Sequence, residues 1–167
     1  MTNISNKQNS TIRCRLFNMD DFNALQAIYS NEDVCKYLPV KGVVLDDKIY
    51  TILTRYADTL LYPNEGIVYA VTLHGIIIGY TGLKYVKAYE QYEIYYGLHP
   101  DYWGKGYATQ AALLMKKEAI KKGYTEVVAF AHIENKASQR ILEKIGYHKV
   151  EQISLWKLPL YRYYMAL

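Results

Sequence analysis

A strand-like segment that leads through a glycine-rich turn into a long amphipathic segment constrains this chain more than any other feature. Residues 91–98 alternate as in a strand, and the turn that follows reads Asp-Tyr-Trp-Gly-Lys-Gly. From Gly106 to Lys122 small apolar residues recur on one helical face with lysines opposite, and Gly123 supplies a C-cap. Residues 126–131 are rich in β-branched residues and read as another strand. The order predicts a strand–helix–strand unit whose two strands lie parallel.

The turn also has the chemistry of an anion site. The first amides of a helix lack intrahelical acceptors and lie at the positive end of the helix dipole, so they bind phosphate oxygens. Gly104 and Gly106 let the backbone approach a ligand closely. Two other phosphate motifs fail, because Thr109 stands where a dinucleotide fingerprint needs glycine and Lys105 is not followed by Ser or Thr. A tight connection without a ligand is the alternative.

Two ordered motifs resemble signatures of the GNAT superfamily of N-acetyltransferases. Residues 93–108 read Glu-Ile-Tyr-Tyr-Gly-Leu-His-Pro-Asp-Tyr-Trp-Gly-Lys-Gly-Tyr-Ala, which is similar to its pyrophosphate-binding signature. Residues 135–147 read Asn-Lys-Ala-Ser-Gln-Arg-Ile-Leu-Glu-Lys-Ile-Gly-Tyr, which resembles the next signature at the expected separation. Tyr-Trp-Gly-x-Gly and Asn-x-x-Ser resemble most closely the branch of ribosomal-protein alanine N-acetyltransferases. The resemblance is specific over residues 90–150 and looser before them.

The rest of the chain predicts one α/β domain. The patterns predict strands at 12–17, 67–73, 76–87, 91–98, 126–131, 147–155 and 158–167, and helices at 18–30, 31–61 with a break at Pro39 and Gly42, 106–122 and 135–145. The order β-αα-βββ-α-β-α-ββ matches the GNAT topology, a central mixed, mostly antiparallel sheet flanked by helices. We expect residues 11–167 to form a single N-acetyltransferase domain and the polar residues 1–10 to form a flexible tail.

Composition argues against several other classes. The net charge of +4 is dispersed, with no basic stripe interleaved with aromatics, so nucleic-acid binding is disfavoured. No signal-peptide core is present at the start, and no apolar run approaches the ~18 residues of a membrane span. The cysteines and histidines share no metal-ligand spacing. We therefore expect a cytoplasmic monomer or homodimer without a metal. The 19 tyrosines suit half-buried strands, and some could line a ligand cleft.

The resemblance implies that acetyl-CoA is the co-substrate and that its acetyl group passes directly to a primary amine. Coenzyme A would enter where the two central strands splay apart, with its pyrophosphate on the turn amides. The residues implied in binding it are Leu98, Trp103, Gly104, Lys105, Gly106, Tyr107, Ala108, Thr109, Asn135 and Ser138. Trp103 stands where the motif usually begins with Arg or Gln. Because the pyrophosphate would be bound by backbone amides, this change of side chain need not prevent binding.

Three residues receive catalytic roles from the same resemblance. The Leu98 N–H would polarise the thioester carbonyl, and Glu93 would act through a water as general base. Many relatives protonate the departing thiolate with a tyrosine at the position of Leu142, so we assign that role to Ser138, which helical periodicity turns inward. The alternatives are a surface-rim charge for Glu93, a hydrogen bond to helix carbonyls for Ser138, and an N-cap for Asn135.

The acceptor is the least constrained part of the prediction. A protein N-terminus, a small amine such as a polyamine or an antibiotic, and an amino-acid derivative all remain open. We expect acceptor specificity to reside in residues 30–65 and in the last hairpin, where the resemblance is loose. Because Leu142 removes the usual acid, a non-catalytic acyl-CoA-binding module is the alternative function.

Overall fold

The computed structural model describes residues 11–39, 45–58 and 66–167. In these ranges the strands are β1 (Arg13–Leu16), β2 (Ile67–Leu73), β3 (Ile76–Val86), β4 (Gln91–Leu98), β5 (Glu126–His132), β6 (His148–Leu155) and β7 (Leu158–Ala166). The helices are α1 (Phe22–Tyr29), α2 (Glu32–Cys35), α3 (Asp46–Ala57), α4 (Tyr107–Lys121) and α5 (Lys136–Lys144), with 3₁₀ turns at Met19–Asp21 and Pro100–Tyr102. The predicted order of elements is confirmed.

The strands form one mixed sheet in the order β1-β2-β3-β4-β5-β7-β6. β4 and β5 lie parallel, as predicted, and the other neighbouring strands pair antiparallel. Within the described residues the β4–β5 ladder contains one residue pair, Glu93 opposite Val128. By contrast, β3 and β4 pair continuously from Gly79 opposite Leu98 to Val86 opposite Gln91. The sheet is therefore open between the carboxyl-terminal halves of β4 and β5.

Each face of the sheet carries its own apolar core. On one face α1 and α3 bury Leu25 and Leu53 against β2 and β3. On the other face α4 and α5 bury Ala112 and Leu142 against β3, β4, β5 and β7. The small buried side chains of α4 let this helix lie close to the sheet. Because successive residues of a strand face opposite sides, β4 contributes side chains to both cores.

Local cap chemistry explains where the helices begin. The side chain of Asn18 accepts a hydrogen bond from the N–H of Asp20 at 2.9 Å, and the carboxylate of Asp21 accepts one from the N–H of Asn18 at 2.9 Å. This capping box begins the 3₁₀ turn Met19–Asp21, which continues directly into α1. Arg15 holds the same carboxylate with two hydrogen bonds of 2.7 Å, which joins the start of the helix to β1.

The predicted helical segment 31–61 forms two helices, α2 and α3. α2 ends at Cys35, four residues before the predicted break at Pro39. The other half of that break, Gly42, and most of the predicted end of α3 lie outside the described residues, as does the predicted tail 1–10.

The structure also bears on membrane and metal binding. In the described ranges no helix combines the length and the hydrophobicity that crossing a membrane requires. In the same part of the chain no group of three or more His, Cys, Asp or Glu side chains is arranged as metal ligands.

Candidate active site

A cavity of about 760 Å³ lies at the opening between β4 and β5. Its walls come from both strands, from α2, from the turn before α4, from the first turns of α5 and from the β6–β7 hairpin. Among the described residues, six tyrosines line it: Tyr37, Tyr80, Tyr95, Tyr96, Tyr102 and Tyr107. Part of the unusual tyrosine content therefore forms the wall of a cleft. Both regions expected to set acceptor specificity contribute to the cavity, through Asp33 and Trp156 among others.

The glycine-rich turn forms the N-terminal end of α4. Gly104 and Gly106 have φ values of +71° and +81°, which only glycine adopts without strain. Gly106 is the N-cap of α4 and has no side chain to accept hydrogen bonds from the amides of the first turn. An ideal Cβ on either glycine would meet no protein atom within 4 Å. The N-terminus of α4 therefore presents its amides and dipole to open space, as an anion site requires.

Trp103 connects this turn to the end of β4. Its indole Nε1 donates a hydrogen bond of 2.7 Å to the carbonyl oxygen of Leu98, while the ring remains half exposed. The residue that departs from the usual Arg or Gln thus has a structural role of its own. It holds the turn at a fixed distance from the backbone of Leu98.

The backbone of Leu98 faces the opening of the sheet. The next residue, His99, donates its N–H to the carbonyl of Ile78 in β3 at 2.9 Å. Since N–H groups alternate in direction along a strand, the N–H groups of Leu98 and Tyr96 point away from β3 and toward the side of β5. The pairing of β4 with β5 has ended before both residues. The side chain of Leu98 is buried in the core and its carbonyl accepts the hydrogen bond from Trp103, so its N–H is the group that faces a ligand in the opening.

The first turn of α5 brings three polar groups together. The side chain of Asn135 accepts a hydrogen bond of 3.1 Å from the N–H of Ser138, so Asn135 is the N-cap of the helix, one of the roles predicted for it. The hydroxyl of Ser138 lies 3.1 Å from the hydroxyl of Tyr96. The partner of the Ser138 hydroxyl is therefore a side chain of β4, and not the helix carbonyl that was the alternative to a catalytic role.

Sequence reasoning missed Tyr96. Burial raises the pKa of its phenol to about 12, and the hydrogen bond with Ser138 opposes that rise only in part. Tyr96 is therefore a neutral hydroxyl at physiological pH, able to donate a hydrogen bond. Strand alternation places Tyr96 on one face with Leu98, but nothing in the sequence connects it with Ser138, 42 residues later. A search for a tyrosine near the end of the strand before the turn would have found it.

The interpretation of Glu93 as a surface-rim charge is wrong. Its side chain is buried, and its Oε2 lies 3.3 Å from the Nζ of Lys84, which stands directly opposite on β3. Among the described residues Oε2 has no hydrogen-bond partner of good geometry. Burial raises the pKa of Glu93, and the charge of Lys84 lowers it by less. Glu93 is thus a carboxyl group that holds its proton more tightly than a free glutamate.

The groups of the site lie on two sides of the sheet. Tyr95 packs against the core under α1 and α3, and its neighbours at alternate positions, Glu93 and Gly97, share that side. Tyr96 packs against the core under α4 and α5, where it meets Ser138. The opening between β4 and β5 connects the two sides. A ligand held by the N-terminus of α4 can therefore reach a group held beside Glu93.

Lys105 is the one predicted cofactor-binding residue that does not line this cavity. Its Nζ donates a hydrogen bond of 2.7 Å to the carbonyl of Asp101 and lies 5.7 Å from the centre of the Tyr102 ring. The remaining predicted residues, from Leu98 through the turn to Asn135 and Ser138, all line the cavity.

Comparison with known proteins decides the family. Residues 12–148 match the family model described as an acetyltransferase (GNAT) domain. The chain belongs to the GNAT acetyltransferase family. It is therefore an acetyl-CoA-dependent N-acetyltransferase by class, and the fold and the enzyme class expected from the sequence are confirmed.

Solved structures of three acetyltransferases are similar over nearly the whole chain. An acetyltransferase of the GNAT family from Bacillus anthracis is 25% identical, with a TM-score of 0.79 and coverage of 93% of this chain and 95% of that one. The putative acetyltransferase yncA from Salmonella typhimurium, with its cofactor acetyl-CoA, is 21% identical, with a TM-score of 0.71 and coverage of 93% and 94%. A Salmonella typhimurium acetyl transferase that modifies the N-terminal serine of a 50S ribosomal subunit protein is 14% identical, with a TM-score of 0.79 and coverage of 95% and 96%.

Proposed function

We propose that this GNAT protein transfers the acetyl group of acetyl-CoA directly to a primary amine at the opening between β4 and β5. The acceptor is a small amine or the amino group at a protein N-terminus. One observation carries the proposal. A single cavity joins the open N-terminus of α4 and the backbone of Leu98 to the buried carboxyl group of Glu93 across the sheet.

The turn residues Gly104–Thr109 hold the pyrophosphate through backbone amides. The conformation of this turn supports the assignment, because two left-handed glycines leave the first amides of α4 facing empty space. Asn135 and Ser138 lie where the pantetheine arm passes toward the opening, and acetyl-CoA supplies the thioester. A similar protein, yncA, has been solved with its cofactor acetyl-CoA.

Glu93 is the general base. It takes a proton from the acceptor ammonium through a water molecule, and the freed lone pair of the amine attacks the thioester carbonyl. Its raised pKa brings it closer to the pH at which it must accept that proton. The carboxylate lies on the α1–α3 side of the sheet, so the acceptor enters from the side opposite to the cofactor arm.

Leu98 and Ser138 stabilise the charge that develops. The Leu98 N–H donates a hydrogen bond to the oxyanion that forms as the new C–N bond is made. When the C–S bond breaks, the Ser138 hydroxyl donates a hydrogen bond to the departing thiolate. Tyr96 acts through Ser138, since its hydroxyl lies 3.1 Å away and can donate to it. As the amide forms, its nitrogen loses its second proton to water, and the thiolate takes up a proton from water. Glu93 then releases the first proton to water, so one proton is released overall.

Acetyl transfer to a panel of amines tests the proposed function. The panel contains amino acids, a polyamine, an aminoglycoside and a peptide with a free N-terminus, and the assay follows release of the coenzyme A thiol together with the mass of the acetylated product. We expect turnover with at least one amine and a large loss in Glu93→Gln. Tight binding of acetyl-CoA without turnover on any amine would instead identify a non-catalytic acyl-CoA-binding module.

A further inference from the structure

The acceptor side of the cavity contains two opposite charges in contact. The Nζ of Lys84 lies 3.3 Å from the Oε2 of Glu93, and both residues line the cavity. The carboxyl group is buried, whereas the lysine side chain is 40% exposed. Each ionised group therefore keeps capacity for a further partner, because an ammonium has three donors and Oε2 has no hydrogen bond of good geometry among the described residues.

Aromatic rings hold the ammonium of Lys84 in place. Its Nζ lies 4.4 Å from the centre of the Trp156 ring and 5.6 Å from the centre of the Tyr95 ring. Trp156 is in turn packed edge-on against Phe130, with the ring centres 5.7 Å apart. A cation between aromatic rings is attracted to their faces, which restrains a side chain that would otherwise move freely. Lys84 is thus a fixed positive charge in the wall of the acceptor side.

This arrangement disfavours an acceptor that carries only positive charge. An amine must approach Glu93 to lose its proton, and it then lies a few ångströms from the ammonium of Lys84. Like charges at that separation repel strongly in a partly desolvated site. An acceptor with a carboxylate next to its amine removes this conflict, because its carboxylate pairs with Lys84 while its ammonium pairs with Glu93.

We propose that the acceptor is a free α-amino acid, with its amino group at Glu93, its carboxylate on Lys84 and an apolar side chain against Trp156 and Phe130. The ammonium and carboxylate of an amino acid are separated by one carbon and lie about 3 Å apart, which matches the spacing of Lys84 and Glu93. The amine of a polypeptide N-terminus is followed by a neutral amide and does not match. This inference rests on the proposed function and narrows it to one substrate class.

The test compares matched acceptors that differ only at the carboxylate. One series contains L-phenylalanine, L-phenylalaninamide and phenethylamine, and a second contains L-leucine, L-leucinamide and isopentylamine. The amide is a weaker base than the amino acid and the decarboxylated amine is a stronger one, so basicity alone cannot place the amino acid above both. In at least one series, we expect kcat/KM for the amino acid to exceed the values for both analogues by about 10–100-fold. This factor corresponds to the loss of one hydrogen bond between charged groups.

Variants of Lys84 identify the group that recognises the carboxylate. In Lys84→Met the ratio of kcat/KM between the amino acid and its decarboxylated amine should fall to about one, whereas Lys84→Arg should retain the preference. The ratio is the readout because any effect of Lys84 on Glu93 acts on all acceptors alike. A thermal shift with acetyl-CoA in each variant confirms that it is folded.

Three results would overturn the inference. If simple amines or N-terminal peptides are acetylated at least as well as the free amino acids, the inference fails while the proposed function stands. The same holds if the preference survives Lys84→Met unchanged. If no amine of either series or of the wider panel is acetylated, the proposed function fails and takes this inference with it.

Discussion

Replacing Ser138 with alanine tests how the site stabilises the departing thiolate. Ser138→Ala removes one hydroxyl whose partner is Tyr96 at 3.1 Å. The structural part of the loss is one neutral hydrogen bond, about 1 kcal/mol of unfolding free energy. A hydrogen bond to a developing anion is stronger, about 1.5–3 kcal/mol, so the acetyl-transfer step should slow by roughly 10–150-fold. Acetyl-CoA binding should change little, because this bond forms mainly in the transition state.

Tyr96→Phe separates a direct role from a supporting one. If Tyr96 acts through Ser138, its loss slows the same step by a smaller factor, about 3–10-fold for one neutral hydrogen bond of roughly 1 kcal/mol. The double variant should then be as slow as Ser138→Ala alone, since effects on one network are not additive. Tyr56→Phe is the matched control. It removes a tyrosine hydroxyl that bonds Tyr29 at 2.9 Å and does not line the cavity, so the rate should not change.

Single-turnover kinetics on enzyme saturated with acetyl-CoA and an acceptor measure this step without product release. A chemical step in Ser138→Ala within about twofold of the parent would refute the role of this hydroxyl. Additive losses in the double variant would show that Tyr96 contacts the reacting atoms itself.

Three further predictions concern Glu93, Asp21 and Trp103. Glu93→Gln should lower turnover by about 10²–10⁴-fold. It should also abolish the fall of kcat/KM at acidic pH, which in the parent reports a pKa above the ordinary 4.5 because burial raises the pKa of Glu93. Because the folded state of the parent binds the Glu93 proton more tightly than the unfolded state, the parent loses stability as the pH rises above 4.5. The Glu93→Gln variant lacks this loss, so its melting temperature should rise relative to that of the parent over the same pH range. Asp21→Asn should cost about 1 kcal/mol in urea unfolding at neutral pH. Arg15 lowers the pKa of Asp21, so that difference should fade as the pH falls through the lowered value, and a constant difference would exclude the ion pair. Trp103→Phe removes the 2.7 Å hydrogen bond to the Leu98 carbonyl and should raise the dissociation constant of acetyl-CoA about fivefold, measured by calorimetry. An unchanged dissociation constant would show that this hydrogen bond does not support cofactor binding.

Most of the fold could be predicted because its signals are local. The hairpin around Gly75, the caps at Asn18 and Asn135 and the glycines that flank α4 each depend on neighbouring residues, and each lies where the sequence indicates. The parallel pairing of β4 and β5 follows from the connection through α4.

The parts of the site that escaped prediction depend on contacts between distant segments. The sequence proposes Glu93 as a base but does not show its environment: it is buried beside Lys84, and this burial raises its pKa. Tyr96 resembles any strand tyrosine until α5 brings Ser138 to its hydroxyl. Strand alternation shows which face a residue occupies, but it does not show which other element covers that face. The chemistry of this site is therefore a property of the folded chain.

The central claim is that acetyl-CoA binds at the N-terminus of α4, and the thermal shift with acetyl-CoA in two glycine variants tests it most directly. At a hundredfold excess over its dissociation constant, acetyl-CoA should stabilise the parent by about 2.7 kcal/mol, or roughly 5–11 °C. Gly106 and Gly123 flank α4, both have φ of +81°, and neither would place a Cβ within 4 Å of a protein atom. Valine at either position should therefore lower the melting temperature of the free protein comparably. We predict that Gly106→Val abolishes the ligand shift and that Gly123→Val retains it. A full shift in Gly106→Val, or equal losses in both variants, would contradict the claim.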